Sequence, residues 1–262
     1  MSDSPGSSPS PASAPPPVQM TAVPGIPAVN TGDDLAQLIH AAADASGVCL
    51  TDGILVVCQK IISKAEGRCI SLERVEPSPE AIRIATEDGK DPRHVEVVLG
   101  ESTRIVRRGR GVMICETRHG MVCANAGVDL SNTPGTDVAV LLPVDSDASA
   151  ARLRDGLGAL GHTELAVVVS DTFGRPWREG LVDVCIGSAG IAPIADIRGS
   201  QDWMGRELQV TTMATVDQLA AAAGLLMVKD AGIPAVFIEG IPRIGDGGLG
   251  ELLRDPKEDL FR

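Results

Sequence analysis

The sequence predicts an α+β protein in which mixed and antiparallel sheets are flanked by helices. Three observations carry that expectation. Compact β-branched runs such as ILVVCQ (54–59) are bounded by turn residues, as buried strands are. Other stretches place apolar residues at helical spacing behind a capping residue or a proline. The runs GVMICET, GMVCANAGVDLSN and VAVLLP are separated only by turn residues, which reads as an antiparallel meander.

The elements follow in order. Residues 1–20 form a Ser/Pro/Ala tract with little to bury, expected to be a disordered tail. A first helix should run from about Asp34 to Ala45, with Asp33 as its N-cap and Leu35, Leu38 and Ile39 on its apolar face. The strand Ile54–Gln59 should lead into IISKAEG and present Lys60, Ser63 and Lys64 at its C-terminal end. Two helices are expected between Pro79 and Ser102, with Pro79 and Pro92 in first-turn positions. A new structural unit should begin near Asp147, which divides the chain into 21–146 and 147–262. The second unit opens with a helix from Ala148 and continues through the strand ELAVVVSDT, a Gly/Arg/Pro/Trp loop and the strand VDVCIGSAG. It ends with a helical stripe (Leu219, Ala222, Ala223, Leu226, Met227) and the strand IPAVFIEG.

Composition narrows the function. The 262 residues are 44% hydrophobic and 22% charged, ordinary for a globular chain, and the net charge is -12. Binding to duplex nucleic acid needs clustered Lys and Arg, and stacking on single strands needs an aromatic platform. With acidic residues dominant and five scattered aromatics, nucleic acid is not an expected partner; a small molecule is. The six cysteines form no C-x-x-C pair and read mostly as buried thiols. The four histidines lack ligand-like spacing, so any metal should prefer oxygen ligands. No apolar stretch is long enough to span a bilayer and the N-terminus lacks a basic start and apolar core, so a cytoplasmic location is expected, with no membrane partner.

Neither a G-x-x-x-x-G-K-[ST] loop nor a strand followed by G-x-G-x-x-G is present, so a nucleotide would have to be held another way. GSAG (187–190) has the wrong spacing for a nucleophile elbow. Two acidic residues stand out: Asp129 in NAGVDLSN and Asp171 in VVVSDTFGR, each just beyond an apolar strand. With Asn132 or Thr172 close behind, they supply the hard oxygens that suit magnesium or manganese bridging phosphates. Asp residues in such places also cap turns, and spacing alone does not separate the two roles. DTFGRPWREG adds Arg175 and Arg178, which fit an anion beside a metal or incidental surface pairs equally well. Lys64 is a further phosphate candidate.

Taken in order, VPGIPAVNTGDDL, ILVVCQKIISKAEGR, VCANAGVDLSNT, VVVSDTFGRPWREG, DIRGSQDWMGREL and IPAVFIEG resemble the coenzyme F420-0:L-glutamate ligase family. The resemblance covers essentially the whole chain after the tail. It implies a two-lobed α+β fold, normally an intertwined homodimer. It also implies a GTP-dependent ligase that joins L-glutamate to coenzyme F420-0, needs magnesium or manganese and is helped by potassium. Carried over by position, nucleotide contacts fall on Ile26, Pro27, Ala28, Val29, Gln59, Lys60, Lys64 and Asn132. Metal ligands fall on Asp129, Asp171 and Thr172, and catalytic roles on Lys64 and Arg175.

One departure stands out. Where archaeal-type members carry a Gly/Glu-rich turn after the long helix whose glutamate helps hold a metal, this chain reads LLMVKDAGIP, so either Asp230 substitutes as an oxygen ligand or Lys229 meets a phosphate instead. Two other classes are compatible with paired aspartates and nearby arginines: a metal-dependent phosphohydrolase, and a nucleotide-binding module without turnover.

Overall fold

The computed structural model describes residues 16–131, 137–228 and 230–260. Its main element is a five-stranded mixed sheet. The sheet is built from β1 (Gln19–Ala22), β2 (Gly53–Cys58), β8 (Leu165–Arg175), β9 (Arg178–Ala189) and β12 (Ala235–Glu239) in the order β1-β12-β2-β8-β9. Only β2 and β8 run parallel; the other neighbours are antiparallel.

Alternate residues of the central strands enter two different cores. Leu55, Val57, Val167, Val169 and Phe237 pack with α1 (Leu35–Ser46) and α5 (Ser146–Ala159), whereas Ile54, Val56, Ala166, Val168 and Val236 pack with α6 (Thr215–Gly224). A sheet buried on both faces needs an apolar residue at every position, which is why these strands read as unbroken apolar runs. The five strands come from both sides of position 147.

A separate core lies between Leu72 and Leu141. It joins α3 (Pro79–Asp88) and α4 (Pro92–Gly100) to the inner face of a three-stranded antiparallel sheet. That sheet consists of β4 (Ser102–Gly109), β5 (Val112–Thr117) and β6 (Val122–Ala124). Ser78 and Asp91 cap the two helices by accepting from Ala81 N and Arg93 N, with proline following each cap. Two short pairs complete the fold: β3 (Cys69–Ser71) with β7 (Val138–Val140), and β10 (Ile194–Asp196) with β11 (Thr212–Ala214).

The α+β class and the mixed and antiparallel sheets are as expected, and several local readings need correction. The run VAVLLP does not extend the meander: β7 pairs with β3, and the third strand of that sheet is β4. β4 escapes a periodicity reading because its sequence STRIVRRG is largely exposed and interrupted by two register shifts. Gln59 is not the last residue of β2 but the first of α2 (Gln59–Ala65). The Gly/Arg/Pro/Trp loop is the tip of a long hairpin, in which Arg175 pairs with Arg178 around Pro176 and a left-handed Trp177 (φ 58). α6 stops at Gly224, so Leu226 and Met227 pack against the core from beyond the helix. Cysteines 115, 123 and 185 are buried and 58 and 69 intermediate, but Cys49 is exposed; all six are free thiols. Among the described residues, no helix is long and apolar enough to cross a membrane.

The N-cap of α1 is Asp34, whose carboxylate accepts from Gln37 N at 3.1 Å, while Asp33 accepts from Asn30 N one turn earlier. Asp34→Ala should therefore lower stability by about 1 kcal/mol, and Asp33→Ala by less, in chemical denaturation.

Candidate functional site

The parallel pair β2/β8 ends at Cys58 and Ser170, and the chain chemistry collects just past those ends. Crevices outside the carboxyl ends of parallel strands are where open sheets bind ligands. Here the crevice is a cavity of about 870 Å³.

From the β2 side, α2 begins immediately after Cys58 and so projects Lys60 and Lys64 onto the cavity wall. Opposite them, the chain after β6 makes a tight turn in which Asn125 (φ 51) and Ala126 (φ 52) are both left-handed, followed by Gly127 (φ 73). Non-glycine residues in that region cost about 1–3 kcal/mol each and gather at binding sites. Lys90 Nζ holds the turn by donating to Asn125 Oδ1 at 3.0 Å. Asp129 follows, pinned by paired backbone bonds with Val140.

Asp129 and Lys60 close on each other. Lys60 Nζ lies 2.7 Å from Asp129 Oδ2 and also donates to Ser131 Oγ at 2.7 Å, while Ser131 N donates to Asp129 Oδ1 at 2.7 Å. Burial is the largest single influence on Asp129 and raises its pKa. The Lys60 ammonium and the Ser131 donors outweigh it, so the net shift is downward.

Asp171 has the opposite balance. It occupies the first position of β8 beyond the fully buried stretch, on the cavity floor, with protein atoms closing around its carboxyl group. Burial pushes its pKa up to about 7; the Thr172 amide and the Lys60 charge pull it down, and Asp129 and Asp183 add to the rise. A carboxyl group desolvated among other carboxylates is stabilised by a cation it can ligate.

Of the other candidates, Ile26, Pro27, Ala28 and Val29 line the cavity, as do Thr172 and Asp230. Gln59 does not: it is fully buried beneath α2, with its Oε1 accepting from Ser63 Oγ and its Nε2 without a partner among the described residues. Nor does Arg175, whose guanidinium donates to the backbone carbonyls of Glu179 and Gly180 within its own hairpin. Asn132 and Lys229 lie outside the described residues.

Asp183 is a cavity residue that the sequence reading missed. It is the register partner of Thr172 across the hairpin and accepts from Thr172 Oγ1 at 2.7 Å. The available signal was a lone aspartate inside the apolar strand LVDVCI, and its partner became visible only with the hairpin register.

The donor chemistry of this wall, carboxylates with a threonine hydroxyl, fits a hard divalent cation. Among the described residues, no three His, Cys, Asp or Glu side chains already form a cluster able to hold a metal. Asp129 is engaged by Lys60 and Thr172 by Asp183.

Residues 25–240 match the model of the F420-0:gamma-glutamyl ligase family. The chain is 49% identical over 250 residues to the coenzyme F420:L-glutamate ligase of Methanothermobacter thermautotrophicus, covering 94% of this chain and 99% of that protein. It is 46% identical over 241 residues to the protein of the same name from Methanopyrus kandleri, covering 89% and 93%. For the Archaeoglobus fulgidus protein of that name the figures are 40% over 247 residues, 94% and 96%.

Proposed function

This chain belongs to the F420-0:gamma-glutamyl ligase family, and from that premise we propose that it joins L-glutamate to coenzyme F420-0 in a GTP-dependent reaction. The observation that carries the reading is the meeting of Asp129, Asp171, Lys60 and Lys64 on one cavity beyond the ends of β2 and β8. Two carboxylates suit a metal–phosphate group, and two lysines suit the phosphate oxygens beside it.

The acceptor carries a phosphodiester and, beyond it, the lactyl carboxylate that reacts. A carboxylate and an amine do not condense in water, so the carboxylate must first be activated. One carboxylate oxygen attacks the γ-phosphorus of GTP, the bond to the β-phosphate oxygen breaks, and GDP leaves an acyl phosphate behind. The amino nitrogen of L-glutamate then attacks the acyl carbon, inorganic phosphate departs, and the nitrogen gives up a proton to leave an amide. The same two steps at the new side-chain carboxylate would add a further glutamate.

Asp129, Asp171 and Thr172 would hold magnesium or manganese, with Asp230 as a further oxygen donor; when bound, such an ion neutralises charge on phosphate oxygens. Lys60 keeps Asp129 ionised through their 2.7 Å pair. Lys64 neutralises a phosphate oxygen from the α2 side, and Ile26 to Val29, which line the same cavity, help wall the nucleotide. The left-handed turn places Asn125 and Gly127 on the wall of the same cavity. Positioning and charge placement supply most of the rate in phosphoryl transfer.

The test is direct. With GTP, manganese, L-glutamate and the deazaflavin acceptor, mass spectrometry should show the acceptor gaining one glutamyl unit together with GDP release. GTP hydrolysis indifferent to glutamate would overturn the reading in favour of a phosphohydrolase. Binding of GTP with no turnover would overturn it in favour of a nucleotide-binding module.

A further inference from the structure

The outer face of the β4-β5-β6 sheet continues the cavity wall, and one arginine on it makes no ion pair among the described residues. On β5, Met113 and Cys115 point into the core between helices and sheet and are fully buried. Val112 and Ile114 therefore point the other way, and both line the cavity. Residues directly opposite one another in an antiparallel pair share a face. Ile114 is paired with Ala124 on β6, also a cavity residue, and with Arg107 on β4. Arg107, Ile114 and Ala124 thus form one row across the sheet, which starts at an exposed arginine and runs to the turn that carries Asp129.

Neighbouring arginines are differently employed. Arg108 faces the helices and pairs with Glu87 at 2.5 Å. Arg104 shares the outer face but is paired with Glu116 at 2.7 Å. Arg107 makes no ion pair among the described residues. The chain as a whole carries -12, so an anionic substrate approaching this face meets repulsion unless a local cation receives it.

We infer that Arg107 is a specificity-determining residue which receives the phosphodiester of the acceptor, while Val112, Ile114 and Ala124 form the apolar bed along which the acceptor lies. The inference rests on the ligase reading above and adds the acceptor's place to it. A guanidinium offers a planar fork of donors suited to two phosphate oxygens, and an apolar strip beside it suits a broad aromatic ring. On the ligase reading GTP lies at the α2 side, which leaves this face to the acceptor.

The test combines turnover with direct binding, read from the intrinsic fluorescence of the deazaflavin acceptor in the absence of GTP and glutamate. Arg107→Ala should weaken acceptor binding and raise the acceptor KM by about tenfold or more, with the GTP KM within twofold of wild type. Arg107→Lys should recover part of the loss, and Arg104→Ala should behave as wild type. Unchanged acceptor binding in Arg107→Ala would overturn the inference. So would a rise in the GTP KM, which assigns the residue to the nucleotide, or an equal loss in Arg104→Ala, which assigns the effect to overall charge. Because wild-type ligation and acceptor binding are measured separately, a wild type that binds the acceptor without ligating it sinks the ligase reading and leaves the Arg107 comparison intact.

Discussion

Asp171→Asn should reduce ligation by about a thousandfold or more while leaving a folded protein, because it removes a charge that a bound cation needs and keeps the side-chain shape. The same variant should also be more stable than wild type at alkaline pH when no divalent cation is present, which makes the prediction unusual for an active-site change. The folded carboxyl is pushed up to about 7 from an ordinary 3.8. Below pH 4 both folded and unfolded forms hold the proton and the site costs nothing. As pH rises from about 4 to 7 the unfolded carboxyl ionises while the folded one stays protonated, so stability is lost across that window and does not return above it. Asparagine has no proton to lose and escapes the penalty. Thermal melts at pH 8 without divalent cations should therefore place Asp171→Asn above wild type, with the gap closing towards pH 4. Adding manganese should raise the wild-type melting temperature and leave the variant where it was. Wild-type turnover in the variant, or equal manganese stabilisation of both, would remove Asp171 from the metal site.

Asp129 has the opposite linkage. Its folded pKa is depressed through Lys60 and Ser131, so its stabilisation is present above the ordinary carboxylate range and is lost as pH falls through the lowered value. The two carboxyl groups line one cavity and both feel Lys60, yet their shifts differ in sign because Asp129 is held by direct donors from Lys60 and Ser131 while burial dominates at Asp171.

Much of this was legible because the relevant signals are local. β2 and β8 announce themselves through apolar, largely β-branched runs, and Asp129 and Asp171 are visible as the acidic residues that follow apolar stretches. The helices at 79–100 carry their caps and prolines in sequence. What was not legible depends on pairing. Arg175 reads as a companion of Asp171 four residues earlier, yet although its neighbour Gly174 lines the cavity, its guanidinium folds onto the carbonyls of Glu179 and Gly180 in its own hairpin tip. Asp183 is separated from Thr172 by eleven residues and meets it only through the hairpin register. Gln59 reads as a strand-end residue, but the turn into α2 buries it and turns Lys60 to the cavity instead. β4 hides because most of its residues are exposed and two register shifts interrupt its alternation, so its arginines resemble a solvated loop.

The second large effect concerns Gly187, in the GSAG segment whose spacing excludes a nucleophile elbow. The segment matters for packing. Gly187 lies on β9 where the first residue of α5 crosses the sheet, and a Cβ there would stand 2.4 Å from Ser146 C and 2.6 Å from Ser146 O. Those are backbone atoms, which cannot swing aside as a side-chain tip would. The helix start is also fastened by its second residue: the Asp147 carboxylate accepts from Ser188 N, next along β9, at 2.8 Å and from Leu249 N at 2.9 Å. Any shift of α5 would strain those bonds and draw Leu153 and Leu157 out of the core they share with β2 and β8. Gly187→Val should therefore cost about 3 kcal/mol or more in chemical denaturation, with Gly187→Ala intermediate. Gly158, inside the same helix and with nothing within 4 Å of an added Cβ, supplies the contrast. Gly158→Ala should stabilise by about 0.5–1 kcal/mol, because alanine loses less backbone entropy on entering a helix. If Gly187→Val unfolds at the wild-type midpoint, α5 does not seat on β9 as described, and the core beneath the β2 and β8 ends that position the site is differently packed.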